Sequence, residues 1–303
     1  MARGHKEVVR RSLSPAEWAR IRLKEIAAWQ VVASAPTGRW QLREAAYHGP
    51  GRYEWLGGWR GIGEGESFGR PDGTFFFRGR LRVPRELAGL SVELVFPTTL
   101  EALVRLDGRL VNAFDANRSR VPLARRARAG QTWHAELEAY IRSGPDDMRI
   151  RTGPGWGCTQ PWRAPTLASR DGLVEQFLYD VEVPLEVATC EAVIEDVREL
   201  LMHHLSEALR LVDRDAPDRR ALHASLRRAR EHLREHVYSA EHLAAPGRLA
   251  LIGHSHVDVA YHWRVRQGIR KNARTAVVQL ALMDEYPEML YCHSQPYLYE
   301  QLK

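Results

Sequence analysis

The chain has 303 residues, 44% of them hydrophobic, and a formal net charge of +6 at pH 7. The apolar content is high enough for packed cores, which excludes a chain that is disordered throughout, and the length suits one to three domains. No apolar run approaches the roughly 20 residues of a membrane helix, the N-terminus lacks a secretory signal, and the basic residues are spread among acidic ones. We therefore expect a cytoplasmic protein with no membrane or nucleic-acid partner, and a homo-oligomer is left open.

The first predicted element is a helix that begins after Ser14. The run Ser14-Pro15-Ala16-Glu17 has the form of a capping box with proline at the first helical position. Apolar residues at helical spacing then continue to about Trp29. A loop rich in glycine and aromatic residues follows, and the helix and this lead-in are assigned together to residues 1–72.

Short runs that alternate between polar and apolar residues predict strands in residues 73–189. The runs interpreted as strands are 74–83, 91–96, 101–106, 134–141 and 177–183. Asp107-Gly108 is a hairpin signal after the third of them. Turn residues separate the runs at roughly ten-residue intervals, which is typical of an antiparallel β-sandwich. We assign 73–189 to such an accessory domain.

Tryptophans in this region are candidates either for binding sugar or for packing against the helical linker or the barrel. They are Trp133, Trp156 and Trp162. Aromatic rings serve both purposes, because they bury a large apolar area and also stack on other flat surfaces. We favour packing as the interpretation.

Residues 190–246 return to helical spacing in two segments, separated by the break at Asp213–Pro217. This pattern predicts a helical hairpin linker with arginine and glutamate on its outer faces. His203-His204 and the pair His232 and His236 have spacings that suit a metal ion. They fall on the predicted polar side, so we interpret them as solvated surface residues.

The last segment, 247–303, begins with a buried-type strand that runs directly into His254-Ser255-His256-Val257-Asp258. A helix is predicted from about Val265 to Glu285, and another strand follows at 289–293. Strand, helix and strand at this length form a βαβ unit, which predicts a parallel sheet or barrel. The predicted fold is therefore multidomain, α+β followed by α/β: an N-terminal helix and β-sandwich, a helical linker, and the first βαβ unit of a (β/α) barrel.

Three residues that can bind metal alternate along the extended segment after that strand. His254, His256 and Asp258 stand at i, i+2 and i+4, so their side chains point to one face. They lie at the carboxyl end of a parallel strand, where barrel enzymes place their active sites. Imidazole and carboxylate together suit zinc or a similar divalent ion. Spacing alone leaves all three as candidate ligands, and it leaves open a different metallohydrolase such as an amidohydrolase.

The flanking residues add motifs to this pattern. They are the Gly-His-x-His-x-Asp opening, Trp263, Arg266, Ile269-Arg270-Lys271, Ala273-Arg274-Thr275, Glu285-Tyr286-Pro287, Ser294-Gln295-Pro296 and Leu298-Tyr299-Glu300. With these motifs the segment closely resembles the start of the catalytic domain of glycoside hydrolase family 38, the class II α-mannosidases. The upstream helix, sandwich and linker resemble, more loosely, the accessory region of the long cytosolic and bacterial members.

The resemblance implies a site and an activity. His256 and Asp258 would be ligands of a divalent metal, usually zinc, with cobalt or another divalent ion as alternatives. His254 would support the site without binding the metal. The implied reaction is the retaining hydrolysis of terminal α-D-mannosides in glycans or oligosaccharides. Tyr261 stands where the family typically has a tryptophan against the sugar, which makes Tyr261 the candidate substrate-binding residue.

The resemblance also implies that the site is not complete in these 303 residues. The family's nucleophile, acid/base and remaining metal ligand lie well downstream of the motif, so no catalytic residue is assigned and the nucleophile is expected beyond Lys303. A barrel of this kind needs roughly 250 residues. We therefore expect a truncated N-terminal fragment that is inactive alone. The alternatives are a β-sandwich module for carbohydrate binding or assembly, or an amidohydrolase-like barrel.

Overall fold

The computed structural model describes residues 13–70, 72–98, 100–141, 159–239, 250–261, 263–293 and 295–303. The chain divides into two units. The helical unit comprises Met1–Val32 with Arg170–Arg248, and the second unit comprises Ala33–Ser169 with Leu249–Lys303. We name them the helical unit and the sandwich unit.

The helical unit begins with the predicted capping box. Its helices are α1 (Pro15–Ala27), α2 (Gly172–Thr189), α3 (Glu195–Leu211) and α4 (Arg219–Leu233), and α4 continues into a π-helical turn, Arg234–Tyr238. At the start of α1, the Ser14 hydroxyl accepts a hydrogen bond from the Glu17 N–H, and the Glu17 carboxylate accepts one from the Ser14 N–H at 2.8 Å. These bonds satisfy N–H groups that have no partner within the helix.

The strand predicted over 177–183 is wrong, because these residues lie within α2. Asp171 caps this helix by accepting hydrogen bonds from the N–H groups of Leu173 and Val174. The run 177–183 alternates locally, but over the longer window the buried positions follow helical spacing. They are Val174, Phe177, Leu178, Val181, Pro184, Leu185 and Ala188. The region predicted as sandwich over 73–189 thus ends in a helix of the helical unit.

The core of the helical unit is formed by apolar stripes on all its α-helices. Fully buried members include Ala19, Ile26, Phe177, Val181, Leu205, Leu209, Leu226, Ala229 and Leu233. α3 and α4 lie in the segment predicted as a helical hairpin, and they pack against each other and against α2. Each helix buries one face only, which is the arrangement expected of amphipathic helices.

The sandwich unit contains short strands that form two principal sheets. The strands are β1 (Val31–Pro36), β2 (Trp40–Gly49), β3 (Arg52–Trp55), β4 (Arg60–Ile62), β5 (Ser67–Phe68), β6 (Gly73–Arg82), β7 (Val92–Val95), β8 (Glu101–Leu106), β9 (Arg109–Phe114), β10 (Arg120–Ala124), β11 (Thr132–Ile141), β12 (Gln160–Pro161) and β13 (Thr166–Arg170). The smaller sheet has the order β1-β13-β7-β10. The larger sheet has the order β3-β2-β6-β11-β8-β9, with β4 also paired to β2. A β-sandwich is therefore present, as predicted.

The sandwich starts earlier than the predicted boundary at residue 73. β2 lies inside the larger sheet, where it pairs antiparallel with β3 and with β6. Trp40, its first residue, is part of the buried core. The many glycines between residues 49 and 69 obscured the alternation of these strands, so the region predicted as a lead-in is part of the sheets.

The hairpin predicted at Asp107-Gly108 joins β8 to β9. Both residues have left-handed backbone conformations, with φ of 50° at Asp107 and 80° at Gly108. A two-residue turn of this kind requires positive φ at both positions, and Asp-Gly is one of the pairs that tolerate it. The turn thereby fixes the register of two strands in the larger sheet.

Aromatic packing fills the space between the sheets. Trp162 is 1% exposed, and its ring stacks on Phe77 with centroids 4.4 Å apart. Trp133 is half-buried and packs against the same core. Trp162 and Trp133 therefore pack, but in the core of the sandwich and not against the helical linker or the barrel as predicted. Trp156 lies outside the described residues.

The C-terminal segment has the predicted order of strand, helix and strand, but its first strand is not the buried one predicted from residue 248. Among the described residues there, only Gly253–His254 pairs as a strand, and Leu251 and Ile252 are exposed. β14 (Gly253–His254) pairs parallel with β15 (Tyr291–Cys292), α5 (Val265–Glu285) lies between them in the chain, and α6 (Pro296–Glu300) follows. α5 packs against β9 and β2, and Val278 belongs to a small apolar cluster with Leu103 and Ala113. The barrel that this segment would begin stays a prediction.

Within the part of the chain that the structure describes, no helix has both the length and the hydropathy needed to span a membrane.

Candidate metal centre

His256 and Asp258 come together in the loop that follows β14. Nε2 of His256 lies 3.1 Å from Oδ1 of Asp258, and the two side chains are 69% and 37% exposed. In a tetrahedral site with metal–ligand bonds of about 2.1 Å, neighbouring ligand atoms are about 3.4 Å apart. The pair is thus spaced as two ligands of one small ion would be, on a surface that an ion can reach.

His254 is exposed in β14, two residues before this pair. Spacing along an extended segment had made it equivalent to the other two. Among the described residues, these three side chains do not form a three-ligand metal cluster, whereas His256 and Asp258 are in contact. The candidate pair is therefore His256 and Asp258. Their role as metal ligands and the supporting role of His254 stay predictions.

The loop that carries Asp258 is held against α5 by a glycine. A Cβ atom at Gly268 would lie 2.1 Å from the carbonyl oxygen of Val259. In addition, Nε1 of Trp263 donates a hydrogen bond to the Asp258 carbonyl at 3.3 Å. Sequence reasoning missed Gly268, although a glycine inside a helix is unfavourable by about 1 kcal/mol relative to alanine and so indicates a packing constraint.

Tyr261 lies in the same loop and presents a largely open ring. It is 63% exposed, and it contacts Trp263 edge to face with centroids 5.8 Å apart. The Lys271 ammonium lies 4.8 Å from the centre of the Trp263 ring. Trp263 therefore links the loop to α5, while Tyr261 keeps an accessible face. His262 lies outside the described residues.

The basic residues of α5 are paired with acidic residues of the same unit. Lys271 and Arg274 both form ion pairs with Glu101 in β8, and Arg266 lies 3.5 Å from Asp72. The motif positions that carried the family resemblance thus attach α5 to the sandwich. This attachment fixes the helix that in turn positions the loop of His256 and Asp258.

A buried carboxylate forms the centre of this attachment. Glu138 in β11 accepts hydrogen bonds from Tyr53 at 2.7 Å, Arg105 at 3.1 Å and Arg270 at 3.2 Å. Burial, with the adjacent Glu138 carboxylate, raises the pKa of the Tyr53 hydroxyl, which keeps it a donor. A buried charge is tolerated when it is paired and its remaining sites are hydrogen-bonded, and Glu138 meets both conditions.

The histidines interpreted as solvated surface residues are arranged differently in the structure. His204 on α3, His232 on α4 and His236 in the π-helical turn converge, with one ring nitrogen from each lying within 4.8 Å of the others. His204 and His232 are half-buried, so the solvated interpretation is wrong for them. The sequence gives the i,i+4 pair, but only the packing of α3 on α4 adds the third ring.

Two family models match separate segments of this chain. The model of the glycosyl hydrolases family 38 N-terminal domain matches residues 246–302, which include β14, the candidate metal pair and α5. The model of an alpha-mannosidase jelly roll domain matches residues 26–159. In both segments the chain is thus similar to parts of family 38 alpha-mannosidases.

Two curated relatives are similarly distant from this chain. Human alpha-mannosidase 2C1 is 24% identical over 246 residues, and the match covers 79% of this chain and 23% of the relative. Mouse alpha-mannosidase 2C1 is 24% identical over 249 residues, with the same shares of 79% and 23%. The chain thus spans about a quarter of the length of these relatives.

Two of the solved structures found by comparison are weakly similar to this chain. A β-glucuronidase from Ruminococcus gnavus has a TM-score of 0.32 at 12% identity, over 47% of this chain and 29% of that chain. A β-D-glucuronidase from Dictyoglomus thermophilum has a TM-score of 0.27 at 10% identity, over 46% and 28%. Neither likeness carries weight for the fold or for the substrate.

Proposed function

We propose that residues 247–303 belong to the catalytic barrel of a cytoplasmic, metal-dependent retaining α-mannosidase that hydrolyses terminal α-D-mannosides in glycans or oligosaccharides. The observation that carries this proposal is the 3.1 Å contact between His256 and Asp258 at the carboxyl end of β14. It lies inside the segment that matches the family 38 N-terminal domain. The sandwich and the helical linker are accessory regions in this proposal.

The donor atoms of the pair fit the metal that the resemblance implies. An imidazole nitrogen and a carboxylate oxygen are both common zinc ligands, and their separation is close to the edge of a tetrahedral site. When bound, the ion would act as a Lewis acid towards sugar hydroxyls. His256 and Asp258 would hold it, His254 would support them, and the exposed face of Tyr261 would lie against the sugar.

The chain's own residues set the geometry on which this proposal depends. Gly268 allows α5 to approach the loop, and Trp263 bonds the carbonyl of Asp258. A catalytic ligand must be held within a few tenths of an ångström of its productive position, so these contacts matter as much as the ligands. We expect their loss to weaken metal binding even though neither residue touches the ion.

Two ligands bind a divalent ion weakly compared with the three or four of a complete zinc site. We therefore expect the 303-residue chain to bind zinc at this position with low affinity and to show no turnover of an aryl α-mannoside. The expectation of inactivity would be overturned if the chain hydrolysed the aryl α-mannoside and the Asp258→Asn variant lost this activity.

Metal binding at the pair can be measured directly by calorimetric titration with zinc. The titration uses chain carrying His236→Gln, so that the histidines of the helical unit do not contribute. We expect Asp258→Asn and His256→Ala to abolish the weak binding event, and the exposed control Asp284→Asn to preserve it. An unchanged isotherm in the Asp258→Asn variant would remove the pair as the metal site.

The activity can be tested in a hybrid enzyme. The matched segment of human alpha-mannosidase 2C1 is replaced by the corresponding residues of this chain. We expect the folded hybrid to hydrolyse an aryl α-mannoside and to lose at least about 100-fold in rate when Asp258 is changed to asparagine, since a metal ligand contributes several kcal/mol. A folded hybrid that is inactive, or one that tolerates the substitution, contradicts the proposal.

A further inference from the structure

The helical unit holds a histidine cluster that the mannosidase site does not use. We define the histidine cluster as His204 on α3, His232 on α4 and His236 in the π-helical turn after α4. A search of the described residues for three or more side chains that could hold one metal ion gives this group. One ligand atom from each of its three histidines lies within 4.8 Å of the others. It lies in a different unit from His256 and Asp258.

The spacing of the cluster matches the coordination sphere of a small transition-metal ion. Nδ1 of His204 lies 3.3 Å from Nε2 of His232. Zinc–nitrogen bonds of about 2.0–2.1 Å place neighbouring ligands of a tetrahedral site about 3.3 Å apart. Two of the three nitrogens thus already stand at the distance that a shared ion requires. The third nitrogen, from the exposed side chain of His236, lies within 4.8 Å of the other two.

The hydrogen bonding of His236 prepares it to be a ligand. Its Nδ1 lies 3.0 Å from the backbone carbonyl oxygen of His232. A carbonyl oxygen can only accept, so Nδ1 carries the proton and Nε2 keeps a free lone pair in the neutral ring. Histidine ligands of metals characteristically donate their other ring nitrogen to a carbonyl or carboxylate, which fixes the tautomer and the ring orientation.

The surroundings favour the neutral ring that metal binding needs. Burial lowers the pKa of His232, and the neighbouring His236 and His203 lower it further, while Glu207 and Glu235 act in the opposite direction. The rings of His232 and His236 are stacked with centroids 4.5 Å apart. Two protonated imidazoles at this distance would repel each other, so the arrangement suits neutral imidazoles that share an ion.

The backbone conformation around His236 is a second indication of a functional site. His236 belongs to a π-helical turn in which the N–H of Ser239 donates to the carbonyl of Arg234. Single π-helical turns are rare and occur frequently at functional sites. The wider turn ends α4 at the point where His236 joins the cluster.

We propose that His204, His232 and His236 bind one divalent transition-metal ion, of the kind that prefers imidazole, such as zinc, nickel or cobalt. The ion joins α3 to the end of α4. Nearer the turn between these helices, the Ser225 hydroxyl accepts a hydrogen bond from the N–H of Asp213 at 3.1 Å. The ion would link the two helices at the opposite end of the hairpin. Three protein ligands leave a fourth position for water or an exchangeable group.

The test uses the 303-residue chain with His256→Ala and Asp258→Ala, so that the candidate mannosidase site cannot bind metal. Zinc is titrated by calorimetry, and thermal unfolding is followed with and without zinc. We expect one equivalent to bind and the melting temperature to rise, because an ion that binds only the folded state stabilises it. Absence of a one-to-one binding event would overturn the proposal.

A set of variants separates the cluster from incidental histidine binding. His236→Gln and His232→Gln should each weaken zinc binding at least about 100-fold and abolish the thermal shift, since each removes a direct ligand. His203→Ala is the matched control, an exposed neighbour on α3 that should keep the affinity within about threefold. Because His236 is exposed, its replacement leaves the fold intact, and helix content by circular dichroism verifies this. Equal affinity in the His236→Gln and His203→Ala variants would contradict the assignment.

Discussion

The guanidinium of Arg270 on α5 donates a hydrogen bond to the carboxylate of Glu138 on β11 over 3.2 Å, and neither side chain is more than 3% exposed. The same guanidinium lies over the rings of Tyr47 and Tyr140, at 4.2 and 4.8 Å from their centres. An arginine of the motif that resembles family 38 thereby attaches its helix to the sandwich. This relationship joins the two matched segments of the chain within one unit.

Replacing Arg270 by methionine should cost about 3–5 kcal/mol of the free energy of unfolding. The substitution leaves Glu138 buried without its most buried partner, and breaking a buried pair on one side is strongly destabilising. Urea unfolding of the 303-residue chain measures the loss. Arg105→Met is the control, since Arg105 is 28% exposed and should cost about 1 kcal/mol. Similar losses from both variants would contradict the special role of Arg270.

The variant Gly268→Ala should weaken zinc binding by His256 and Asp258 at least about tenfold. The added Cβ would meet the carbonyl oxygen of Val259 at 2.1 Å, so the loop must move. Calorimetry in the His236→Gln background measures the effect. Gly172→Ala in α2 is the control, because a Cβ there meets no atom within 4 Å. Wild-type zinc affinity in the Gly268→Ala variant would show that the loop does not depend on this approach.

Trp162→Ala should destabilise the sandwich unit by about 3–5 kcal/mol, the usual cost of removing a buried aromatic side chain. Trp133→Ala should cost less, because Trp133 is only half-buried. Denaturant unfolding compares the free energies of unfolding of the two variants.

Titration of the wild-type chain with a mannose oligosaccharide should give no heat that depends on Trp162, since its ring is inside the core. A sugar-dependent signal lost in the Trp162→Ala variant, at unchanged stability, would restore the binding interpretation.

Asp171 should make the helical unit sensitive to acid. Burial raises the pKa of this carboxyl, but hydrogen bonds from His223, the Val174 N–H and Arg219 outweigh it, and the pKa in the folded chain lies below its ordinary value of 3.8. A lowered folded-state pKa contributes stability above the unfolded-state value, and this contribution is lost as the pH falls through the folded-state value. The free energy of unfolding should therefore decrease as the pH falls below about 4.

The acid sensitivity is measured by urea unfolding between neutral pH and the acid limit of the native state. Asp171→Asn should be less stable at neutral pH, because it lacks the charge that pairs with Arg219 at 2.7 Å. It should also lose less stability on acidification than the unmodified chain. Asp196→Asn, an exposed change in the first turn of α3, should leave the pH dependence as it was. An identical pH profile in the Asp171→Asn variant would exclude Asp171 as its source.

The sequence by itself determined the features that depend on a few neighbouring residues. Ser14 and Glu17 formed the predicted capping box, and Asp107-Gly108 formed the predicted hairpin, because cap and turn geometry is decided by local hydrogen bonds and allowed φ values. The strand–helix–strand order of the last segment was likewise readable from periodicity. The resemblance to family 38 also came from a continuous run of residues around His256 and Asp258.

Only the tertiary structure decided what depends on residues far apart in the chain. α2 is a helix because its apolar stripe packs against α1 and α3, although the run 177–183 alternates like a strand. His204 joins His232 and His236 because α3 packs on α4. Glu138 and Arg270 are separated by 132 residues along the chain. Packing and the pairing of buried charges are set by such distant contacts, and local patterns carry no information on which distant residues will meet.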